Sequence, residues 1–160
     1  MKGIYLSLGS NVGGRAQSIA RATADLPERG VRIAKASRLY ETEPVEMREQ
    51  DWFLNCVVEV ATDLTPKELM RALLEIERGM GRERLVPKGP RIIDMDILLF
   101  GTSVVREAEL QIPHPRMAER RFVLVPFAEI APDVVHPVLQ RSIAQLLAET
   151  SDRGQVRPLS

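Results

Sequence analysis

The chain has 160 residues, enough for one domain with a substantial core, and its 44% hydrophobic and 28% charged content is ordinary for a soluble globular protein. Lys plus Arg and Asp plus Glu both number 22, so net charge gives no basis for attraction to nucleic acid or membrane, and any polyanion site must come from local clustering. A single cysteine, Cys56, excludes an intrachain disulfide; with no leader-like N-terminus and no apolar run of membrane-spanning length, a cytoplasmic single-domain protein (1–160) is expected.

In chain order, residues 3–9 alternate apolar and polar, with Ile4, Leu6 and Leu8 on one face, and read as a half-buried strand. Gly9-Ser10-Asn11 and Gly13-Gly14 then read as a glycine-rich turn before a helix over 15–26. Such a turn can cradle phosphate, but without a Lys-Ser/Thr ending the tight-turn reading is preferred. Pro27 to Gly30 closes that helix, and residues 31–42 read as the next strand. The polar stretch from Glu43 to Asp51 has no periodicity, and a loop of that length between strands suggests function.

Residues 52–62 form a second long strand, in which Phe53, Asn55 and Val57 share one face and Leu54, Cys56, Val58 and Val60 the other. Cys56 is thereby a small core residue rather than a nucleophile. Phe53 with Asn55 offers a stacking surface beside a two-sided hydrogen bonder, although a plain sheet-face pair fits the spacing equally well. Thr65-Pro66-Lys67-Glu68 is a capping box with proline at the first helical position, starting a helix that runs to about Met80. Glu77 lies at the flank of its buried stripe, facing either a site or solvent.

After this helix the chain turns basic, with Arg78, Arg82, Arg84, Lys88 and Arg91. It then enters a strand over Ile92–Phe100 that is apolar except for Asp94 and Asp96. Alternation places both carboxylates on one face, roughly 6.6 Å apart along the backbone. At an effective dielectric near 20 they repel by about 3 kcal/mol. A hard divalent cation with phosphate as co-ligand compensates such a pair, and Mg²⁺ suits oxygen donors of this kind. The alternative is a solvated pair at a sheet margin. The adjacent arginines favour phosphate, which they bind through a bidentate fork. Thr102–Val105 suggests a short hairpin return. His114 is held between Pro113 and Pro115 and followed by Arg116, Arg120 and Arg121; it is either structural or a phosphate contact. A helix over 122–131 with Pro126 marking an early kink or its first turn, a last helix over 142–149 and a fraying polar tail complete the expected elements.

Several of these stretches, in this order, resemble the 6-hydroxymethyl-7,8-dihydropterin pyrophosphokinase family of folate biosynthesis. They are Leu8-Gly9-Ser10-Asn11, Tyr40-Glu41-Thr42-Glu43-Pro44, Phe53-Leu54-Asn55, Glu77 and Gly81-Arg82-Glu83-Arg84. Gly89-Pro90-Arg91-Ile92-Ile93-Asp94-Met95-Asp96-Ile97-Leu98 and Pro113-His114-Pro115-Arg116-Met117, with Arg120 and Phe122, complete the set. The resemblance implies an α+β, ferredoxin-like fold with a mainly antiparallel sheet between helical layers. It implies pyrophosphoryl transfer from ATP to the pterin's hydroxymethyl oxygen, with AMP released and a monomer expected. By resemblance, Asp94 and Asp96 would hold two Mg²⁺ ions and Arg82 and Arg91 would neutralise the phosphates. Glu77, Arg84, His114, Arg116 and Arg120 would meet the nucleotide. Phe53 and Phe122 would sandwich the pterin, whose edge Asn55 and the backbone of Thr42, Pro44 and Val45 would read.

The residues make physical sense of that reaction, since phosphoryl-type transfer needs positioning and charge stabilisation rather than a protein nucleophile. The 43–51 and 82–90 loops are natural lids over such a site. The chain departs from the family at Lys88, where many members have an aromatic residue, and in a slightly short preceding loop. Phe53 also stands where tyrosine is seen. Other Mg-dependent nucleotide enzymes carry Asp-x-Asp on a strand, and a non-catalytic ferredoxin-like module is the remaining rival.

Overall fold

In the computed structural model the described residues are 3–44, 51–81 and 92–159. The order of elements begins with β1 (Ile4–Ser10), α1 (Arg15–Glu28), β2 (Val31–Ala36), β3 (Tyr40–Thr42), β4 (Phe53–Thr62), α2 (Pro66–Gly79) and β5 (Asp94–Phe100). A small hairpin, β6 (Val105–Arg106) with β7 (Gln111–Ile112), leads to α3 (Arg121–Ile130), α4 (Ile143–Glu149) and β8 (Val156–Pro158). The main sheet runs β5-β1-β4-β3-β8, with β2 also on β4, and its pairings are antiparallel. This is the α+β, ferredoxin-like arrangement: two β-α-β passes whose first and third long strands, β1 and β4, lie in the centre.

Helices cover both sheet faces, which is why every residue of β1 is buried rather than every second one. On one face Leu6, Leu8, Cys56 and Val60 pack against Leu26 of α1 and Leu69 and Ile76 of α2. On the other, Tyr5, Val57 and Leu98 pack against Leu124 and Phe127 of α3 and Ile143 of α4. The pairing of β1 with β5 slips by one residue next to Tyr5, and this bulge turns both Leu98 and Leu99 towards α3. The α2 start is the expected capping box: Glu68 N donates to Thr65 Oγ1 at 3.2 Å, and Thr65 N donates to Glu68 Oε1 at 2.9 Å.

Five local expectations are corrected. Residues 31–42 are two strands on β4 rather than one, divided where the Ser37 hydroxyl accepts Val57 N–H and substitutes for the ladder. Gly9 and Ser10 belong to β1, so the turn is confined to Asn11–Gly14. The aspartate strand starts at Asp94, not Ile92, and Pro126 sits in the body of α3 rather than its first turn. The tail does not fray. Val156 pairs with Thr42 and Arg157 with Glu41, so the sheet edge left open by the short β3 is covered, with Pro158 on the outside where no N–H is needed.

Candidate active site

Register decides which side chains share a surface. Asp94, Gly9 and Asn55 are partners across β5, β1 and β4, and Asp96, Ser7 and Val57 form the next row. Since Val57 packs under α3, both carboxylates leave the sheet on the α3 side. Two strand spacings separate Asp94 from Asn55, roughly 10 Å at the backbone. Gly9 between them has no side chain for a reason: a Cβ there would lie 2.4 Å from Asn55 Oδ1. Asn55 leans across β1, and the row reads carboxylate, space, amide.

The amide end is already organised. Asn55 is 5% exposed and Thr42 2%, and Asn55 Nδ2 donates to Thr42 Oγ1 at 2.6 Å. Thr42 is the register partner of Phe53, which places Phe53 on the same surface. Phe122, at the start of α3, packs on the core of that side. A cavity of about 320 Å³ is lined by Glu43, Pro44, Phe122 and the run Asp152–Val156. Arg120 holds its guanidinium 5.4 Å from the centre of the Phe122 ring, a cation–π distance.

The carboxylate end lies at the sheet edge. Asp94 and Asp96 are half-buried on either side of buried Met95. The outward N–H of Met95 donates to Glu77 Oε2 at 2.8 Å, and Glu77 is only 3% exposed. Glu77 therefore faces the strand rather than solvent and satisfies a backbone group that an edge strand would otherwise leave open. His114 N donates to Leu98 O at 3.0 Å, tying the histidine to the same edge. A cavity of about 330 Å³ is lined by Glu77, Asp94, Asp96 and His114, among others.

Burial pushes the His114 imidazolium down to about 4, reinforced by Arg120 and Arg116 and opposed by Asp94. At neutral pH the ring is uncharged, and because Nδ1 accepts Arg116 N–H at 3.2 Å its proton sits on Nε2. His114 thus offers the cavity a neutral donor. Arg116 itself is exposed. Cys56, on the opposite core, has its thiol pushed up to about 12 by burial and plays no part in this surface.

The structure thus brings Thr42, Phe53 and Asn55 together, Pro44 with Phe122, and Glu77, Asp94, Asp96 and His114, with Arg120 influencing both His114 and Phe122. Val45, Arg82, Arg84, Lys88 and Arg91 lie outside the described residues, as do most of the two proposed lids. Three features were not foreseen. Gly9 is not a turn residue but a strand residue that makes room for Asn55. The buried Asn11 donates to Asp51 O at 3.0 Å, and Arg15 donates to Trp52 O at 2.8 Å, anchoring the chain just before β4. Asp152 accepts Arg121 N–H at 2.8 Å, supplying α3 with a cap that its own preceding residue lacks. The only sequence signal for the last was an Asp-x-Gly pair in the tail.

A sequence model of the 7,8-dihydro-6-hydroxymethylpterin-pyrophosphokinase family matches residues 5–132. The chain belongs to this family. The 2-amino-4-hydroxy-6-hydroxymethyldihydropteridine pyrophosphokinase of Methylorubrum extorquens is 45% identical over 151 residues, covering 94% of each chain. The folic acid synthesis protein fol1 of Pneumocystis carinii is 40% identical over 156 residues, 98% of this chain but 21% of that protein. The chain spans about a fifth of the length of this and two similar folic acid synthesis proteins. Wild-type HPPK-DHPS of Plasmodium falciparum, solved with pteroate, superposes with a TM-score of 0.74 at 19% identity, over 91% of this chain and 42% of that one. That likeness is one of fold.

Proposed function

We propose that this chain transfers a pyrophosphoryl group from ATP to the hydroxymethyl oxygen of 6-hydroxymethyl-7,8-dihydropterin, releasing AMP. The observation that carries the reading is the single row Asp94, Gly9, Asn55: a carboxylate at one end, an organised amide at the other, and a glycine between them that leaves the amide its room. Family membership supplies the chemistry of the two ligands.

Asn55, oriented by Thr42, reads the polar edge of the pterin; Phe53 and Phe122 take its two faces, with Pro44 and the Val45 backbone beside it. Two half-buried carboxylates are too few to cage a metal alone. Among the described residues no group of three or more His, Cys, Asp or Glu side chains is placed to hold a metal ion. That donor set fits Mg²⁺, which keeps waters and substrate phosphates in its shell. Asp94 and Asp96 would hold two such ions, which would supply positive charge against the phosphates. Glu77 keeps the strand carrying them straight at Met95. His114 donates from Nε2 and Arg116 and Arg120 add charge on the nucleotide side, with Arg82, Arg84 and Arg91 meeting the phosphates. The hydroxyl oxygen bonds to the β-phosphorus and the bond to the α–β bridging oxygen breaks, so AMP leaves and the hydroxyl proton passes to solvent. The chain works as a single catalytic domain, as a monomer and in the cytoplasm; no helix among the described residues is long and apolar enough to cross a membrane.

Phosphorus NMR on the protein with Mg-ATP and the dihydropterin tests this. Pterin-dependent AMP with a new diphosphate ester is expected. ADP would make it a single-phosphate kinase, and no turnover with Mg-ATP bound would mean another acceptor or a binding module.

A further inference from the structure

The C-terminal segment is usually the part of a domain least tied to its chemistry, yet here it joins the two walls of one cavity. Asp152 Oδ2 accepts the N–H of Arg121, the first residue of α3, at 2.8 Å, while Oδ1 accepts Gly154 N–H at 2.8 Å. Arg121 Nε donates in return to Gly154 O at 3.1 Å, and Arg153 Nη1 donates to Thr150 O at 2.8 Å. The turn 150–154 is therefore locked on itself and onto the start of α3. Two residues on, the chain is locked to the opposite wall: Gln155 N donates to Glu43 Oε1 at 2.9 Å, and Glu43 N to Gln155 O at 3.2 Å. Val156 then pairs with Thr42. Asp152 is one residue's contact away from Phe122, and Gln155 one residue's contact away from Pro44.

We propose that residues 152–156 form a further wall of the pterin pocket, and that Asp152 is the positioning residue that holds Phe122 against the ring. This rests on the pterin reading of the site. The carboxylate acts through the helix: α3 starts at Arg121 with no cap from Arg120, so its direction at Phe122 is set by whatever receives the Arg121 N–H. A side chain on a distant part of the chain receives it, and the same segment lines the cavity with Phe122. Distance between Phe122 and the Thr42–Pro44 wall is thereby set by one short rigid span.

Binding of 6-hydroxymethyl-7,8-dihydropterin, in the presence of a non-hydrolysable Mg-ATP analogue, tests this in the full chain and in Asp152→Ala and Asp152→Ser. Loss of the cap should raise the pterin dissociation constant by roughly five- to tenfold and leave that of the nucleotide within about twofold. Serine, which also caps helices, should restore most of the affinity. Pterin affinity unchanged in Asp152→Ala, or an equal loss for both ligands, would overturn the assignment. If the alanine variant does not fold, hydrogen exchange on the parent decides. Pterin, and not the nucleotide alone, should increase protection of the Arg121, Gly154 and Gln155 amides, and no increase overturns the assignment. A parent that binds no pterin at all defeats the functional reading instead, so the two failures are distinct.

Discussion

The two ends of the Asp94–Gly9–Asn55 row are built on opposite terms. At the Asn55 end the polar groups are engaged with one another: Asn55 with Thr42, both buried, Glu43 with Gln155, and Asp152 with Arg121. At the Asp94 end two like charges sit two residues apart on an edge strand, and the nearby histidine is held neutral. One end is shaped before its ligand arrives, which suits a flat heterocycle recognised by fit and hydrogen bonds. The other gathers like charges on a half-buried edge, which suits a ligand that brings cations and phosphates with it.

The strongest way to break that contrast is at the charged end. Asp96→Ala should lower turnover by roughly 10²–10³-fold, the loss seen when one charge-stabilising group is removed. Its thermal midpoint should stay close to the parent's, because Asp96 is half-buried on an edge strand rather than part of the core. AMP release and a circular-dichroism melt check both halves, and a destabilised variant with normal turnover would make Asp96 structural.

The shaped end is tested by Gly9→Ala. A Cβ 2.4 Å from Asn55 Oδ1 must displace that amide, and overpacking of this kind costs about 1–3 kcal/mol. Calorimetry should find pterin affinity lowered by roughly 10- to 100-fold with Mg-ATP affinity retained. Equal weakening of both ligands would remove the division between the ends.

Glu77→Ala sharpens the role of the edge. It leaves the Met95 N–H without its carboxylate acceptor, and a buried unsatisfied donor costs about 1–3 kcal/mol, readable by urea denaturation. Glu77→Gln keeps an acceptor oxygen and should recover part of this. Parent-like stability in the alanine variant would mean that water reaches Met95.

The last effect is on pH. The unfolded chain binds a proton at each histidine below about 6.5, whereas folded His114 resists protonation to about 4 and burial also lowers His136, whose Nδ1 accepts the N–H groups of Val138 and Leu139. Stability from keeping the His114 ring neutral is complete above 6.5 and lost as pH falls from there towards 4, at up to about 1.4 kcal/mol per pH unit, and the lowered His136 adds a loss in the same direction. His114→Gln should therefore lose less stability than the parent between pH 7 and 5. Identical losses would show that the ring is already free to protonate.

Much of this was legible in the sequence because it depends on local periodicity. Alternation alone put Asp94 with Asp96 and Phe53 with Asn55, and a capping box placed the start of α2, since strand pleat and helix capping are properties of a few consecutive residues. The resemblance added roles for Glu77, His114 and Phe122 that spacing did not distinguish from structural ones. What local pattern cannot carry is the register between strands and the destination of a polar tail. Gly9 faces Asn55 only because β1 and β4 pair as they do, across 46 residues of chain. Glu77 turns inward because the edge of β5 presents an N–H to it. Asp152 matters because a segment with no apolar periodicity finds two unmet backbone needs, the bare start of α3 and the open edge of β3. Side-chain alternation and caps were determined by the sequence itself. Which cavity those side chains share was decided by long-range pairing, where the burial of backbone donors on distant elements selects the partner.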